Sequence, residues 1–185
     1  MNKLLTLAIA ALLCTAGLTP AQAAEDPALI SFGAQAFDWF QMKDIQTELR
    51  VEYRGEKLIA DFKPYASMAG IYCKADWFPF CEGDRSTGSG FFGGGMLLDI
   101  YFGNRIVLTP SFGPNYYTGG NRDLDLDSPL VFRGQLELAW RFDDYSRFGI
   151  AISRYDNLGL GDRNPGADSA GIYYSVPFDS LFGKD

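Results

Sequence analysis

The stretch Ile152–Phe178 reads I-S-R-Y-D-N-L-G-L-G-D-R-N-P-G-A-D-S-A-G-I-Y-Y-S-V-P-F, with two alternating apolar segments around a loop rich in Gly, Asn, Asp and Pro. That loop composition is typical of a long turn, and the flanking alternation predicts two paired strands. Counting by twos places Arg154 and Asp156 on one face of the first strand and Asp168 on one face of the second. The three charges therefore continue apolar stripes at their loop ends, where charged side chains are unexpected.

The same alternation recurs along the rest of the chain, and no segment shows a sustained 3.6-residue apolar period. In residues 132–142, for example, Leu136 and Trp140 alternate with Arg133 and Glu137. These patterns predict strands near residues 29–38, 47–54, 58–70, 90–102, 105–114, 130–142, 146–156 and 168–178. Eight strands, an even number, in a chain of this size indicate a closed up-and-down barrel, which leaves no unpaired edge.

Alternation alone does not say which face of the barrel is inside. A soluble barrel would bury Leu136 and Trp140, whereas a transmembrane barrel turns them to lipid and buries Arg133 and Glu137. Short predicted turns alternate strictly with long loops, and aromatic residues gather near both strand ends like interfacial girdles. The sequence therefore predicts an all-β, eight-stranded antiparallel up-and-down transmembrane β-barrel, filled by its own side chains.

Residues 1–23 are predicted to be a secretory signal peptide, with one cation at Lys3, an apolar run over residues 4–13 and the small-x-small sequence A-Q-A at residues 21–23. The run is too short for a membrane-spanning helix, which needs about 20 residues. The mature barrel domain would comprise residues 24–185, and loss of Lys3 changes the formal net charge from −7 to −8. An acidic chain is a poor ligand for nucleic acid. The export signal and the transmembrane barrel pattern make the bacterial outer membrane the expected location.

Two cysteines, Cys73 and Cys81, remain in the predicted mature chain, and an oxidising compartment favours a local disulfide between them. A metal site is the alternative, but the chain has no histidine to complete one. The alternating acids Asp123 to Asp127 match no closed calcium loop, so a solvated acidic loop is predicted, with calcium as the alternative. No cofactor is predicted, because G-x-G-x-x-G at residues 88–93 precedes a strand and not a helix.

The absence of histidine from the sequence also excludes Ser-His and Cys-His nucleophilic pairs. The group of Arg154, Asp156 and Asp168 therefore has two interpretations. It is either an ion-pair cluster at the membrane boundary that docks lipid head groups or holds the loop, or a site at which a carboxylate performs acid-base chemistry.

The sequence R-Y-D-N-L-G-L-G-D-R-N-P-G-A-D-S, followed by G-I-Y-Y-S-V-P-F, resembles the signature of the PagL-like lipid A 3-O-deacylases, or acyloxyacyl hydrolase family. These are eight-stranded outer-membrane barrels whose motif begins H-x-S-N-x-G and whose Ser-His-Glu triad faces lipid. The resemblance places the family histidine at Arg154, the serine at Asp156 and the acid at Asp168. The family's oxyanion environment resembles Asn157, Gly159 and Asn164.

The resemblance implies lipid A or lipopolysaccharide as the partner, with a homodimer as a further candidate assembly. Arg154 stays protonated and is no base, while Asp156 is a weak nucleophile towards an ester. Loss of two triad members leaves the contribution of the oxyanion donors. The prediction is a lipid A-binding barrel whose ester hydrolysis is lost or weakened. The alternatives are an active deacylase or lipase with a carboxylate general base, and a structural or adhesive barrel whose Ile71–Ser89 loop meets a partner.

Overall fold

The computed structural model describes residues 26–40, 45–72, 89–118 and 126–183. Most of this part is β-strand, because period-two alternation suits a pleated strand with one buried face. The elements are β1 (Leu29–Phe37), β2 (Gln46–Arg54), β3 (Phe62–Tyr72), β4 (Ser89–Leu98), β5 (Ile100–Phe102), β6 (Ile106–Tyr117), β7 (Leu130–Arg141), β8 (Arg147–Asp156), β9 (Ala167–Pro177) and the short helix α1 (Phe178–Phe182). In the described ranges, no helix has the length and apolarity needed to cross a membrane.

The strands form one antiparallel sheet in the order β4-β3-β2-β1-β9-β8-β7-β6-β5, and a further pairing of β4 with β6 closes it into a barrel. Segments β4 and β5 are two halves of one barrel strand, because Leu97 pairs with Ser111 and Ile100 pairs with Leu108 in a continuous register. The gap between them coincides with Pro110 on β6, which has no backbone N–H to donate. The barrel therefore has eight strands, and the predicted fold is confirmed.

The largest shift from the predicted strand boundaries is in β3, which begins at Phe62 and not near residue 58. Residues 58–61 form a tight turn, in which Ala60 and Asp61 have positive φ angles of 47° and 72°. The Phe62 amide donates a hydrogen bond to the Ile59 carbonyl oxygen over 2.9 Å. The apolar residues of this turn continue the alternation of the following strand, so the sequence pattern predicted an earlier start. The strand itself begins only after the turn, at Phe62.

The alternation turns apolar side chains outward and charged side chains into the lumen. On β7, Leu136 and Trp140 are 43% and 48% exposed on the outer wall, whereas Arg133 and Glu137 are 0% and 1% exposed inside. A soluble barrel would show the reverse arrangement, so the orientation predicted for a membrane barrel is confirmed.

Ion pairs between strands fill the lumen. Glu52 accepts hydrogen bonds from Arg54 and Arg133 over 2.9 and 2.5 Å, and Arg54 also binds Glu137 over 2.5 Å. Towards the short turns, a second group of paired buried charges consists of Asp26, Lys63, Asp99 and Arg147. These charges have opposite partners because an unpaired charge in the lumen would lose its hydration without compensation.

An aromatic cluster fills the long-loop end of the lumen and anchors β8. Phe91 stacks on Tyr155 with ring centroids 4.4 Å apart, and Phe37 packs against both rings. Because Tyr155 points inward, its neighbours Arg154 and Asp156 project from the outer wall.

Candidate functional site

The register between β8 and β9 brings Arg154 directly opposite Asp168. The positions on either side of this pair, such as Ser153 opposite Ser169, face the lumen and are buried. A slip of one residue would carry the lumen-facing side chains to the outer wall, so packing inside the barrel holds the register. The pairing of Arg154 with Asp168 is thus a consequence of the buried residues beside it.

Arg154 and Asp168 form an ion pair on the outer wall, with Nη1 of Arg154 2.7 Å from Oδ2 of Asp168. Their side chains are 52% and 20% exposed, so the arginine is open to the surroundings while the carboxylate is partly covered. The guanidinium also lies against Gly166, the glycine of the N-P-G sequence, where an added Cβ would come within 2.5 Å of Nη2. Gly166 therefore leaves the space that the guanidinium occupies.

Asp156 lies on the same face as Arg154 but is engaged by the following loop. Its Oδ1 accepts hydrogen bonds from the amide of Leu158 over 2.6 Å and from Nδ2 of Asn164 over 2.8 Å. The structure therefore divides the three predicted site residues into an ion pair between Arg154 and Asp168 and a loop-capping carboxylate at Asp156.

The residues that resemble the family's oxyanion environment hold this loop in shape. Asn157 is buried, and its Nδ2 donates to the carbonyl oxygens of Arg163 and Leu126 over 2.6 and 3.1 Å. Its Oδ1 accepts a hydrogen bond from the amide of Gly159 over 2.9 Å, and Gly159 has a φ angle of 79°. Asn164 is the third member and binds Asp156. The described contacts of all three are made within the loop system, and their oxyanion role stays a prediction.

Asp127 links the third long loop to the fourth. Its Oδ2 accepts a hydrogen bond from the Arg163 amide over 2.6 Å. This amide, together with the Arg163 guanidinium, holds the pKa of the Asp127 carboxyl below its usual value. The carboxylate acts here as a clamp between the loops, a role that the sequence pattern of alternating acids did not indicate.

A groove of about 420 Å³ opens beside the ion pair on the outer wall. Arg154 and Asp168 border it, and its apolar walls come from Trp39, Phe40, Leu136 and Ile152. Gly134 also lines it. The first long loop reaches the site because the Asp38 amide donates a hydrogen bond to the Asp168 carbonyl oxygen over 2.6 Å. Sequence reasoning missed Trp39 and Phe40 at this site, although the outward glycine on β7 was a usable signal for a recess.

The site has a fixed cation and an apolar groove, but its nearby serines face the other way. Ser153 and Ser169 point into the lumen, where they donate to the Gln135 and Gln35 side chains over 3.0 and 3.2 Å. The guanidinium of Arg154 carries its charge permanently and cannot take a proton from a hydroxyl. This arrangement suits the binding of a polar head group with an attached apolar chain.

Several predictions concern residues outside the described ranges. These are the signal peptide at residues 1–23, the Cys73–Cys81 disulfide, and the acidic residues Asp123 and Asp125 of the third loop. In the described part, no three His, Cys, Asp or Glu side chains group as a metal site. The solvated acidic loop, with calcium binding as its alternative, therefore stays a prediction.

Comparison with known proteins identifies the family. The family model described as lipid A 3-O-deacylase (PagL) matches residues 31–177, while no curated protein sequence matches the chain significantly. The crystal structure of the outer membrane enzyme PagL is similar, with a TM-score of 0.58 and 17% identity, over 81% of this chain and 99% of that one. Neisserial surface protein A is also similar, with a TM-score of 0.56 and 6% identity, over 82% of this chain and 96% of that one. These structures support the barrel fold, and the family model covers most of the described domain, so the chain belongs to the lipid A 3-O-deacylase (PagL) family.

Proposed function

We propose that this chain is an exported outer-membrane barrel that binds lipid A or lipopolysaccharide on its outer wall, with the ester hydrolysis of its family lost or greatly weakened. The main support for this proposal is the ion pair between Arg154 and Asp168, in which Nη1 lies 2.7 Å from Oδ2. These are the positions that the family resemblance assigns to the catalytic histidine and its acid. Removal of residues 1–23 and insertion in the outer membrane belong to the same proposal.

The loss of hydrolysis follows from the chemistry of the two substituted positions. A hydrolase of this type needs a base that accepts a proton and a hydroxyl that attacks the ester. Arg154 cannot accept a proton, and Asp156 has no hydroxyl. The Asp156 carboxylate is further occupied by the Leu158 amide and the Asn164 side chain.

The binding of lipid A is supported by the combination of charge and groove. Arginine carries five N–H donors in a planar fork that suits phosphate oxygens, and Asp168 fixes this fork at the rim of the barrel. The groove of about 420 Å³ begins at the same place and has apolar walls that suit an acyl chain. A phosphorylated glycolipid with several acyl chains carries in one molecule both a phosphate for Arg154 and an acyl chain for the groove.

The test uses the purified barrel in detergent micelles with purified lipid A. We expect no release of 3-hydroxy fatty acid above the no-protein control, together with lipid A binding detected by native mass spectrometry. Arg154→Gln should weaken that binding. The matched control is Arg105→Gln, because the Arg105 side chain is similarly exposed (43% against 52%) and forms an ion pair with Asp143 (2.8 Å) near the short turns. Fatty acid release that Asp156→Ala abolishes would contradict the proposal.

A second candidate is an active deacylase or lipase in which Asp156 or Asp168 acts as general base for water. Membership of a hydrolase family favours it. The same assay separates the two, because only an active enzyme releases fatty acid with a rate that rises as a carboxylate deprotonates. A homodimer also stays a prediction, and light scattering of the protein in detergent tests it.

A further inference from the structure

Two outward-facing strand glycines have no steric reason to be glycine. At Gly93, Gly113 and Gly171, for example, an added Cβ would come within 2.3 Å of a backbone oxygen of the neighbouring strand. A Cβ at Gly70 would meet no heavy atom within 4 Å, and one at Gly134 would touch only the edge of Phe112 at 4.0 Å. Among the glycines of the described strands, these two alone have such room. Glycine weakens a strand interior, so its use here calls for another explanation.

Each of these two glycines lines a groove on the outer wall. Gly134 belongs to the groove beside Arg154, and Gly70 belongs to a second groove of about 630 Å³. In this second groove, named here the Gly70 groove, the larger side chains Phe32, Leu49, Met68 and Ile172 surround the small residues Ala34 and Gly70. Arg50 also belongs to the lining, but its side chain is fully buried, so the side chains exposed in the groove are uncharged. The missing side chains at the two glycines thus create the two recesses.

The Gly70 groove lies at the height of the outer leaflet. Gly70 is two residues from the end of β3 at Tyr72, so it lies about 7 Å below the long-loop end of the wall. On β9, Ile172 is four residues below Asp168, or about 13 Å along the strand. Half of the hydrocarbon layer is about 15 Å thick, so both residues meet acyl chains of the leaflet on the long-loop side.

We propose that the Gly70 groove seats a second acyl chain of the lipid A molecule whose head group is bound at Arg154. This inference rests on the proposed function, and it adds selectivity for the number of acyl chains that the bound lipid carries. Ile172, which lines the groove, is about 13 Å along β9 from Asp168 of the ion pair, a span that one acyl chain of a glycolipid covers. A lipid A with more chains occupies both grooves, whereas one with fewer chains fills only the groove beside Arg154.

The selectivity of such a groove comes from packing. Acyl chains elsewhere in the bilayer are as apolar as the groove, so burial from water supplies no net gain. A chain held in a fitting recess makes several additional close contacts, each worth a small amount. We therefore expect a modest preference of about fivefold, set by a handful of dispersion contacts.

The experiment measures the affinities of three probes by native mass spectrometry. The probes are hexa-acylated lipid A, a tetra-acylated analogue with the same phosphorylated head group, and dipalmitoylphosphatidylethanolamine. Gly70→Leu fills the second groove, Gly134→Leu fills the groove beside Arg154, and Leu138→Phe adds bulk on the outer wall where it lines neither groove. Altered gel migration after boiling verifies that each variant is folded.

The wild type should prefer hexa-acylated to tetra-acylated lipid A by about fivefold. Gly70→Leu should remove this preference and leave tetra-acylated binding unchanged, Gly134→Leu should weaken both, and Leu138→Phe should change neither. A preference that survives Gly70→Leu, or its absence in the wild type, would overturn the inference. Equal loss of phosphatidylethanolamine binding would also overturn it, because any acyl chain would then fill the groove. If Gly70→Leu removes the preference while Arg154→Gln leaves lipid A binding intact, the Gly70 groove is supported as an acyl-chain site. The proposed head-group site at Arg154 is then contradicted.

Discussion

Arg154 and Asp168 face each other across β8 and β9, and their side chains meet on the outer wall with Nη1 2.7 Å from Oδ2. Under the proposed assignment, Asp168 is the acid of the family triad, and Arg154 places a permanent cation where the family has a base. The proposal predicts that hydrolysis returns when the two substituted side chains are restored, because the register of β8 and β9 already sets position 154 opposite Asp168, with position 156 on the same face.

Restoring both residues with Arg154→His and Asp156→Ser should produce lipid A deacylase activity. The new imidazole would stand opposite the Asp168 carboxylate and on the same face as the new hydroxyl. A positioned general base contributes about 10²-fold or more, so release of 3-hydroxy fatty acid should clearly exceed that of the wild type. Chromatographic detection of the released acid makes the measurement.

Two variants control this experiment. Asp156→Ser alone leaves no base and should release nothing, and adding Asp168→Asn to the double variant should reduce its activity sharply. A double variant that folds and binds lipid A but stays inactive would show that the loop no longer supports the reaction.

Gly166→Ala should disturb the position of Arg154. An added Cβ would lie 2.5 Å from Nη2 of Arg154, and the φ angle of 59° is unfavourable for alanine. We expect lipid A affinity to fall to that of Arg154→Gln, with a loss of stability of about 1 kcal/mol from the backbone.

Gly159→Ala is the matched control for this change. Gly159 also has a positive φ of 79°, but a Cβ there would meet no heavy atom within 4 Å. It should therefore show a similar loss of thermal stability with unchanged lipid A binding. Equal binding losses in both variants would mean that loop strain, and not the guanidinium position, controls affinity.

Glu52→Gln should destabilise the barrel strongly. The Glu52 carboxylate is buried and accepts hydrogen bonds from Arg54 and Arg133, so its neutralisation leaves buried positive charge without compensation. Breaking a buried ion pair of this kind costs about 3–5 kcal/mol. The temperature at which the folded band disappears on a heat-modifiability gel should fall clearly, whereas Glu56→Gln at an exposed turn position should leave it unchanged.

The clamp between Asp127 and Arg163 should open in acid. Hydrogen bonding from the Arg163 amide lowers the pKa of Asp127 in the folded protein below its unfolded value of about 3.9. A lowered folded pKa means that the clamp's contribution is present above about pH 4 and is lost as the pH falls through the lower, folded value. Hydrogen exchange of the Arg163 amide, corrected for the intrinsic rate, should therefore accelerate below pH 4.

Asp127→Ala should expose the Arg163 amide already at neutral pH and remove this acid transition, because alanine has no acceptor oxygen. Asp162→Asn in the same loop should retain the transition. An acid transition that persists in Asp127→Ala would assign the opening to another group.

The sequence by itself determined the kind of barrel and the orientation of its wall. Side chains of a β-strand alternate between its two faces, so Leu136 and Trp140 lie on one face and Arg133 and Glu137 on the other. The apolar face is therefore either inside the barrel or outside it. The pattern of short turns and long loops selected the correct one. The alternation on either side of the N-P-G loop likewise placed Arg154 and Asp168 together on the outer wall, because two strands joined by one loop pair with each other.

Only the tertiary structure decided how the site is assembled. Asp156 turned out to cap the loop through Leu158 and Asn164, because local amide donors satisfy its carboxylate. Trp39 and Phe40 reach the site through the β1–β9 pairing, which joins strands from opposite ends of the chain. Likewise, the recess at Gly70 depends on which side chains adjoin it on other strands. Such contacts follow from barrel closure and interstrand register, and a local sequence period carries no information about either.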